Sequence, residues 1–260
     1  MSGPLAALPM YDWPEVRAAT DALWAAIRFH LLAIDIAAPA ALRHDGEPEA
    51  GWRSPDLVLG QTCGLPFATA LRDRVVMLGT PVYRLPDCPP GDYCSALVVR
   101  AGCRADTLGD LCGGGAAYNM AGSQSGHAAL WAAAAPFGGA RRLFARLLRS
   151  GSHRASIRAV AAGEADVAAI DAVSWSLARR HEPAAGELRV LAVTAPTPGL
   201  PYITARRHGG QAAAICAAVE AAIDRLEAPV RDALLLDGFR RRRPADYDGI
   251  AAAASALTDP

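Results

Sequence analysis

The chain has 260 residues, 52% of them hydrophobic, enough for one large domain or two smaller lobes around a sizeable core, which excludes a disordered chain. Its formal net charge is +0 and the charges are scattered apart from Arg240 to Arg243, which excludes the concentrated basic surface that nucleic acid requires. All 26 basic side chains are arginine, and the absence of lysine excludes Schiff-base chemistry and a P-loop lysine.

The first apolar run, Leu5 to Met10, reads as a strand with Tyr11 and Asp12 at its carboxyl end. Asp12 is expected to cap a helix that starts near Trp13 and Pro14 and continues to His30, with Val16, Leu23, Trp24, Ile27 and Leu31 forming one buried stripe. Short strands are expected at Ala40 to Arg43, Asp56 to Leu59 and Val75 to Leu78, the last two running into Gly60 to Gly64 and Gly79 to Tyr83. Strands separated by helical patterns favour a mostly parallel sheet flanked by helices, in which ligands bind beyond the carboxyl ends of strands.

A strand at Tyr93 to Arg100 carries the chain onward. Then come a small strand, Ala116 to Asn119, and helices at Ser123 to Ala135, Arg141 to Arg149 and Arg154 to Ala161. The apolar strand Asp166 to Ile170 ends at Asp171, Ser174 to His181 is helical, and Leu188 to Val193 is a strand. Two alanine-rich helices, Gln211 to Leu226 and Pro229 to Asp237, finish the chain, and the arginine run after them reads as a solvated helix end. The long strands near 93–100 and 188–193 bracket a central lobe of about 95 residues. The expected layout is a first lobe from 1–93 and 191–260 and a second from 94–190, a hinged pair with a cleft between.

Six cysteines make no C-x-x-C pair and no Cys/His set at zinc spacing, so neither a metal nor a cofactor is expected. Cys63 and Cys88 could pair in an oxidising compartment. No basic n-region with a long apolar h-region opens the chain, and no stretch of about 20 residues is apolar enough to span a bilayer. The expectation is a protein without membrane insertion, cytoplasmic as written and periplasmic if the sequence is a mature form.

The most informative stretch is Asn119-Met120-Ala121-Gly122-Ser123-Gln124-Ser125-Gly126-His127, between a short strand and a helix. A helix start presents unpaired N–H groups and partial positive charge, serines add hydroxyl donors, and glycine lets an anion approach the backbone, so an oxyanion could bind there without lysine. Ser123 could equally be only a cap. The stretch misses the G-x-S-x-G of a nucleophile elbow because Gln124 holds the middle position. Gln61-Thr62-Cys63-Gly64 is a weak thiol motif, and Cys63 reads as a buried or bridged residue. Asp171, at a strand's carboxyl end, is suited to accept a proton or amine from a ligand.

The order Tyr11, Gln61-Thr62, Tyr93-Cys94-Ser95, Ser123-Gln124-Ser125-Gly126, Ser152-His153-Arg154-Ala155-Ser156 and Gly163 to Asp171 resembles the phosphate, phosphite and phosphonate binding proteins of ABC importers. That resemblance implies the two-lobed type II periplasmic-binding-protein fold, no catalysis, and capture of a small oxyanion by hinge closure for an ABC permease. It also implies that Ser123, Gln124 and Ser125 hold the anion, that Tyr93 and His153 donate from opposite sides, and that Asp171 and Tyr11 read the rest of the ligand, with Gln61 and Thr62 beside them. Met120-Ala121 departs from the family's Asp-Pro before the serines. The alternative reading is an enzyme or a ligand-sensing domain on the same scaffold.

Overall fold

The computed structural model describes residues 3–86 and 88–256. The chain divides into two compact units, one of Met1–Arg84, Pro90–Asp92 and Pro198–Ala251, the other of Leu85–Pro89, Tyr93–Thr197 and Ala252–Pro260. Each is a helix-flanked five-stranded sheet, and both sheets are mixed rather than mostly parallel.

In unit 1 the strands lie in the order Leu5–Ala7, Leu57–Gln61, Tyr202–Ala205, Val75–Tyr83, Leu236–Arg240. Only the first pair is parallel, because the chain returns late, from 202 onward, to insert two strands running the other way. Leu57–Gln61 is buried along its whole length, which explains a continuous apolar run in place of alternation. Helix Arg17–Leu32 buries Thr20, Leu23, Trp24, Ile27 and Leu31 at the 3–4 spacing of one face. That face packs in one core with Ile215, Val219, Ala222 and Ile223 of helix Ala212–Asp224.

In unit 2 the order is Arg146–Arg149, Gly115–Tyr118, Val167–Asp171, Ser95–Arg100, Leu188–Val193. The first three run parallel and the last two antiparallel to their neighbours. Its core gathers Leu97, Val99, Leu130, Trp131, Phe144, Val167 and Ala169.

Several sequence expectations change. The first strand stops at Ala7 and a tight turn, Pro9–Tyr11, follows it. The helix after it begins at Arg17 without a side-chain cap, and Asp12 instead pairs with Arg17 and His44. Ala40 to Arg43 is no strand; Arg43 N–H donates to Ala6 O of the first strand at 2.9 Å. Arg141 to Arg149 is not one helix: it stops at Leu143, Phe144 turns extended, and Arg146–Arg149 pairs with Gly115–Tyr118. Likewise the helix expected at Pro229 to Asp237 ends at Ala233, and Leu236–Arg240 leaves it to pair with Val75–Tyr83.

The arginine run is therefore a strand end, not a helix end, and it is mostly paired. Arg241 binds Glu220 at 2.7 Å, while the nearly buried Arg242 binds Asp92 and the Gly91 carbonyl. The disulfide joins Cys88 to Cys94, not to Cys63. Pro89, Pro90 and Gly91 lie between the two, and Gly91 has φ +79, so the chain turns back on itself there.

Gly79 sits inside a strand at φ +148, and a Cβ there would lie 2.6 Å from the Arg240 carbonyl oxygen and 2.7 Å from the Phe239 ring. Gly79→Ala should cost more than about 1 kcal/mol and lower Tm by at least about 2 °C, whereas Gly238→Ala, whose Cβ would meet only the Val82 side chain at 4.0 Å, should change Tm little. Equal Tm values in differential scanning calorimetry would show that the strand shifts freely at Gly79.

Candidate functional site

In unit 2 three parallel strands deliver their carboxyl ends to one edge of the sheet: Tyr118 leads into Asn119, Arg149 into Ser150–His153, and Val167–Asp171 ends on Asp171. Such edges are where α/β sheets place ligands. Two backbone hydrogen bonds, Ser150 N–H to Tyr118 O at 2.9 Å and Gly151 N–H to Asn119 O at 2.7 Å, tie the first two loops together.

The loop after Asn119 enters a turn of wide helix, Gln124–Ala128, which continues as the α-helix Ala129–Ala134. Ser123 caps it: its buried hydroxyl oxygen accepts from Gly126 N–H at 3.2 Å, which leaves its own O–H available as a donor. The turn is held from behind by stacked rings, His127 on Trp131 at 4.1 Å and Trp131 edge-on to Tyr118 at 5.3 Å.

Ser125 and His153, 28 residues apart in sequence, meet at 2.9 Å between Oγ and Nε2. His153 opens helix His153–Ala161, whose cap is Ser152, with its oxygen accepting from Ala155 N–H at 3.1 Å. Asn119 reaches the same ring nitrogen, its Nδ2 3.5 Å from Nε2, and its Oδ1 is buried without a partner. Position 126 must be glycine, because a Cβ there would lie 2.1 Å from Asn119 Oδ1 and 3.2 Å from the His153 ring. Burial pushes the His153 pKa down to about 4, with only partial compensation from the Ala169 backbone.

The remaining candidates in this unit are less directly arranged. Asp171 is buried and its Oδ1 accepts from Ser174 N–H at 2.9 Å, so it caps helix Ala172–His181. Tyr93 is buried, and Gln124 is half-buried as the first residue of the wide turn. The sheet thus brings Ser123, Ser125 and His153 together with Asn119, which opens the stretch singled out in the sequence but was given no role there. Its signal was its place directly after a strand.

On unit 1, the edge shared by parallel strands Leu5–Ala7 and Leu57–Gln61 carries Tyr11, Gln61 and Thr62. Tyr11 packs edge-on against Tyr83 at 5.1 Å, and Gln61 Nε2 donates to the Tyr83 hydroxyl at 3.1 Å. Tyr83 was noted only as a strand end, yet it joins the two candidates. Thr62 is fully buried and its hydroxyl donates to the Cys63 carbonyl at 3.3 Å. Among the described residues no group of three or more His, Cys, Asp or Glu is placed to hold a metal ion, and no helix is long and apolar enough to cross a membrane.

No curated protein matches the sequence. Among solved structures, PhnD1 from Prochlorococcus marinus (MIT 9301), in complex with methylphosphonate, superposes with a TM-score of 0.76 at 16% identity, covering 97% of each chain. A binding protein component of an ABC phosphonate transporter from Pseudomonas aeruginosa gives 0.75 at 15% identity, covering 97% of this chain and 86% of that one. The periplasmic aliphatic sulphonate binding protein SsuA from Escherichia coli gives 0.64 at 17% identity, over 99% and 87%. Identities this low establish the fold, which is that of the type II periplasmic binding proteins. The family described as "ABC transporter, phosphonate, periplasmic substrate-binding protein" matches residues 56–247, most of the chain and both units. The chain belongs to the phosphonate periplasmic substrate-binding protein family of ABC transporters.

Proposed function

We propose that this chain is the solute-capturing component of an ABC importer and that it takes a phosphonate- or phosphate-like oxyanion at the start of the Gln124–Ala134 helix. The observation that carries this reading is the Ser125–His153 pair, at 2.9 Å, on the edge where three strands end. The N–H groups at the helix start, the Ser123 hydroxyl and Ser125 can converge on one anion, and the helix start adds partial positive charge. No lysine exists to do this work, so neutral donors replace a formal cation, each hydrogen bond to the charged ligand contributing about 1.5–3 kcal/mol.

Tyr93, Gln124 and Asp171 are assigned as further ligand contacts on this unit. On unit 1 the candidate contacts are Tyr11, Gln61 and Thr62, and Tyr83 joins them because Tyr11 and Gln61 both meet its ring or hydroxyl. Delivery to a permease and a periplasmic location follow from the family and belong to the same proposal. Catalysis is not part of it: His153 Nδ1 has no carboxylate to orient it, which a serine–histidine nucleophile needs.

Ser125→Ala removes a donor to a charged acceptor and should weaken methylphosphonate binding by about tenfold to a hundredfold in calorimetry, whereas Cys63→Ser should leave it nearly intact. If the cysteine change proves the damaging one, the anion site has been placed on the wrong unit.

The depressed pKa of His153 has a stability consequence. Above its ordinary value of 6.5 the imidazole is neutral in folded and unfolded chains alike; between 6.5 and about 4 the unfolded chain takes up a proton that the folded one refuses. Without ligand, wild type should therefore lose stability relative to His153→Gln as the pH falls from 6.5 toward 4. The comparison with the variant isolates this contribution from that of His44, whose pKa Asp12 and Asp21 raise. Parallel urea midpoints for the two proteins across that window would mean that the ring is not held neutral.

A further inference from the structure

We infer that Asn119 is a positioning residue of the anion site: one buried side chain holds both the His153 ring and the turn that carries Ser125, and so frees the Ser125 hydroxyl to donate to the ligand. This inference rests on the anion-site reading above and adds to it a residue that acts without touching the anion. Asn119 is also the only asparagine among the 260 residues of the chain.

The placement of Asn119 comes from the backbone. It directly follows strand Gly115–Tyr118, and its carbonyl accepts from Gly151 N–H at 2.7 Å, in the loop that leads to His153. Its side chain then reaches two further places. Nδ2 lies 3.5 Å from His153 Nε2, while Oδ1 lies against Gly126, where a Cβ would be only 2.1 Å away. Gly126 follows Ser125 in the wide turn Gln124–Ala128. One residue thus meets the loop before His153, the imidazole itself and the turn of Ser125. It is 8% exposed, and its Oδ1 is buried without a partner. A buried acceptor left unpaired is costly, so an apolar side chain that filled the same space would be the more stable choice. What only the amide supplies is the Nδ2 donor.

The use of that donor follows from counting hydrogens. Among the described residues Nε2 has two hydrogen-bonding neighbours, Ser125 Oγ at 2.9 Å and Asn119 Nδ2 at 3.5 Å. The amide nitrogen only donates, whereas the hydroxyl donates one hydrogen and accepts others. Where Nε2 is a bare lone pair, either neighbour can donate to it. Ser125 is the nearer in this structure, and an anion that draws its hydrogen away leaves Nε2 to Asn119. Where Nε2 carries the ring hydrogen, it donates to Ser125 Oγ, and the hydroxyl hydrogen is again available. With Asn119 in place, the Ser125 hydrogen can therefore turn to the anion in either tautomer. Without it, the bare nitrogen would lose its donor whenever Ser125 turned away, and binding would leave a buried lone pair unpaired.

The test is a double-mutant cycle read by calorimetry with methylphosphonate, on the full chain as wild type, Asn119→Ala, His153→Ala and the double variant. Asn119→Ala should weaken binding by about threefold to tenfold when His153 is present. It should weaken binding by less than about twofold when His153 is alanine, because the ring through which it acts is gone. The same loss in both backgrounds would make Asn119 independent of the ring, and unchanged affinity with a lowered Tm would make it purely structural; either result overturns the inference. If wild type binds neither methylphosphonate nor phosphate, the anion-site reading fails and the inference with it. Since the chain has one asparagine, isotopic labelling of asparagine alone gives a single side-chain amide pair in NMR spectra. Saturating methylphosphonate should move that signal in wild type, as Nε2 passes from Ser125 to Asn119, and move it much less in His153→Ala. An unmoved signal in wild type, or equal movement in both proteins, overturns the inference even where Asn119→Ala does not fold.

Discussion

The parallel pairing of Gly115–Tyr118 with both Arg146–Arg149 and Val167–Asp171 is the constraint on which the candidate site depends. Parallel strands end on the same side, so three loops distant in sequence start from one edge without any further instruction. The backbone bonds from Ser150 and Gly151 to Tyr118 and Asn119 then fix how closely two of those loops approach. His153 and Ser125 meet because of that register. A slip of one residue would turn the side chains of a strand to the opposite face and carry its loop away with it.

Within that frame the candidate site is built from neutral donors. In the proposed reading, hydroxyls, helix-start N–H groups and a buried imidazole take the place of the lysine and arginine that an exposed anion site would use. Such groups are strong only where water is excluded, since a hydrogen bond to a charged ligand gains more in a low-dielectric setting. Burial of Ser123, Ser125 and Asn119, the stacked His127 and Trp131 behind the turn, and the glycine forced on position 126 all serve that condition. The same burial that sharpens the hydrogen bonds keeps His153 from carrying charge of its own.

Elements with local signals were legible in the sequence. The stripe of helix Arg17–Leu32, the buried strand Leu57–Gln61, helices His153–Ala161 and Ala172–His181 and the strand Leu188–Val193 all follow from periodicity or from apolar runs. The failures share a cause. Arg146–Arg149 has the leucines and arginines of good helix formers, and Leu236 and Asp237 follow closely on a helix and an alanine- and leucine-rich run, yet both segments are strands because a partner strand awaits them across the sheet. Tyr202–Ala205, too short and too close to three prolines to be noticed, sits at the centre of the unit 1 sheet. Propensity is a local quantity, whereas strand pairing is settled by residues outside any local window, about 30 positions away for Arg146–Arg149 and about 150 to 160 for Leu236–Arg240.

For the site the division is similar. The residues of the anion loop, their order along the chain and the absence of lysine are properties of the sequence alone, and they were sufficient for the family resemblance that the family match later bore out. Only the tertiary structure decided that Ser125 faces His153 and that Asn119 and Tyr83 join the candidates. It also decided that Asp171 is first a helix cap and that Cys88 bonds Cys94. The physical reason is that a residue's type and its neighbours in sequence determine which hydrogen bonds it is able to make. Which of them it makes depends on sheet register and burial, quantities that no short window of sequence contains.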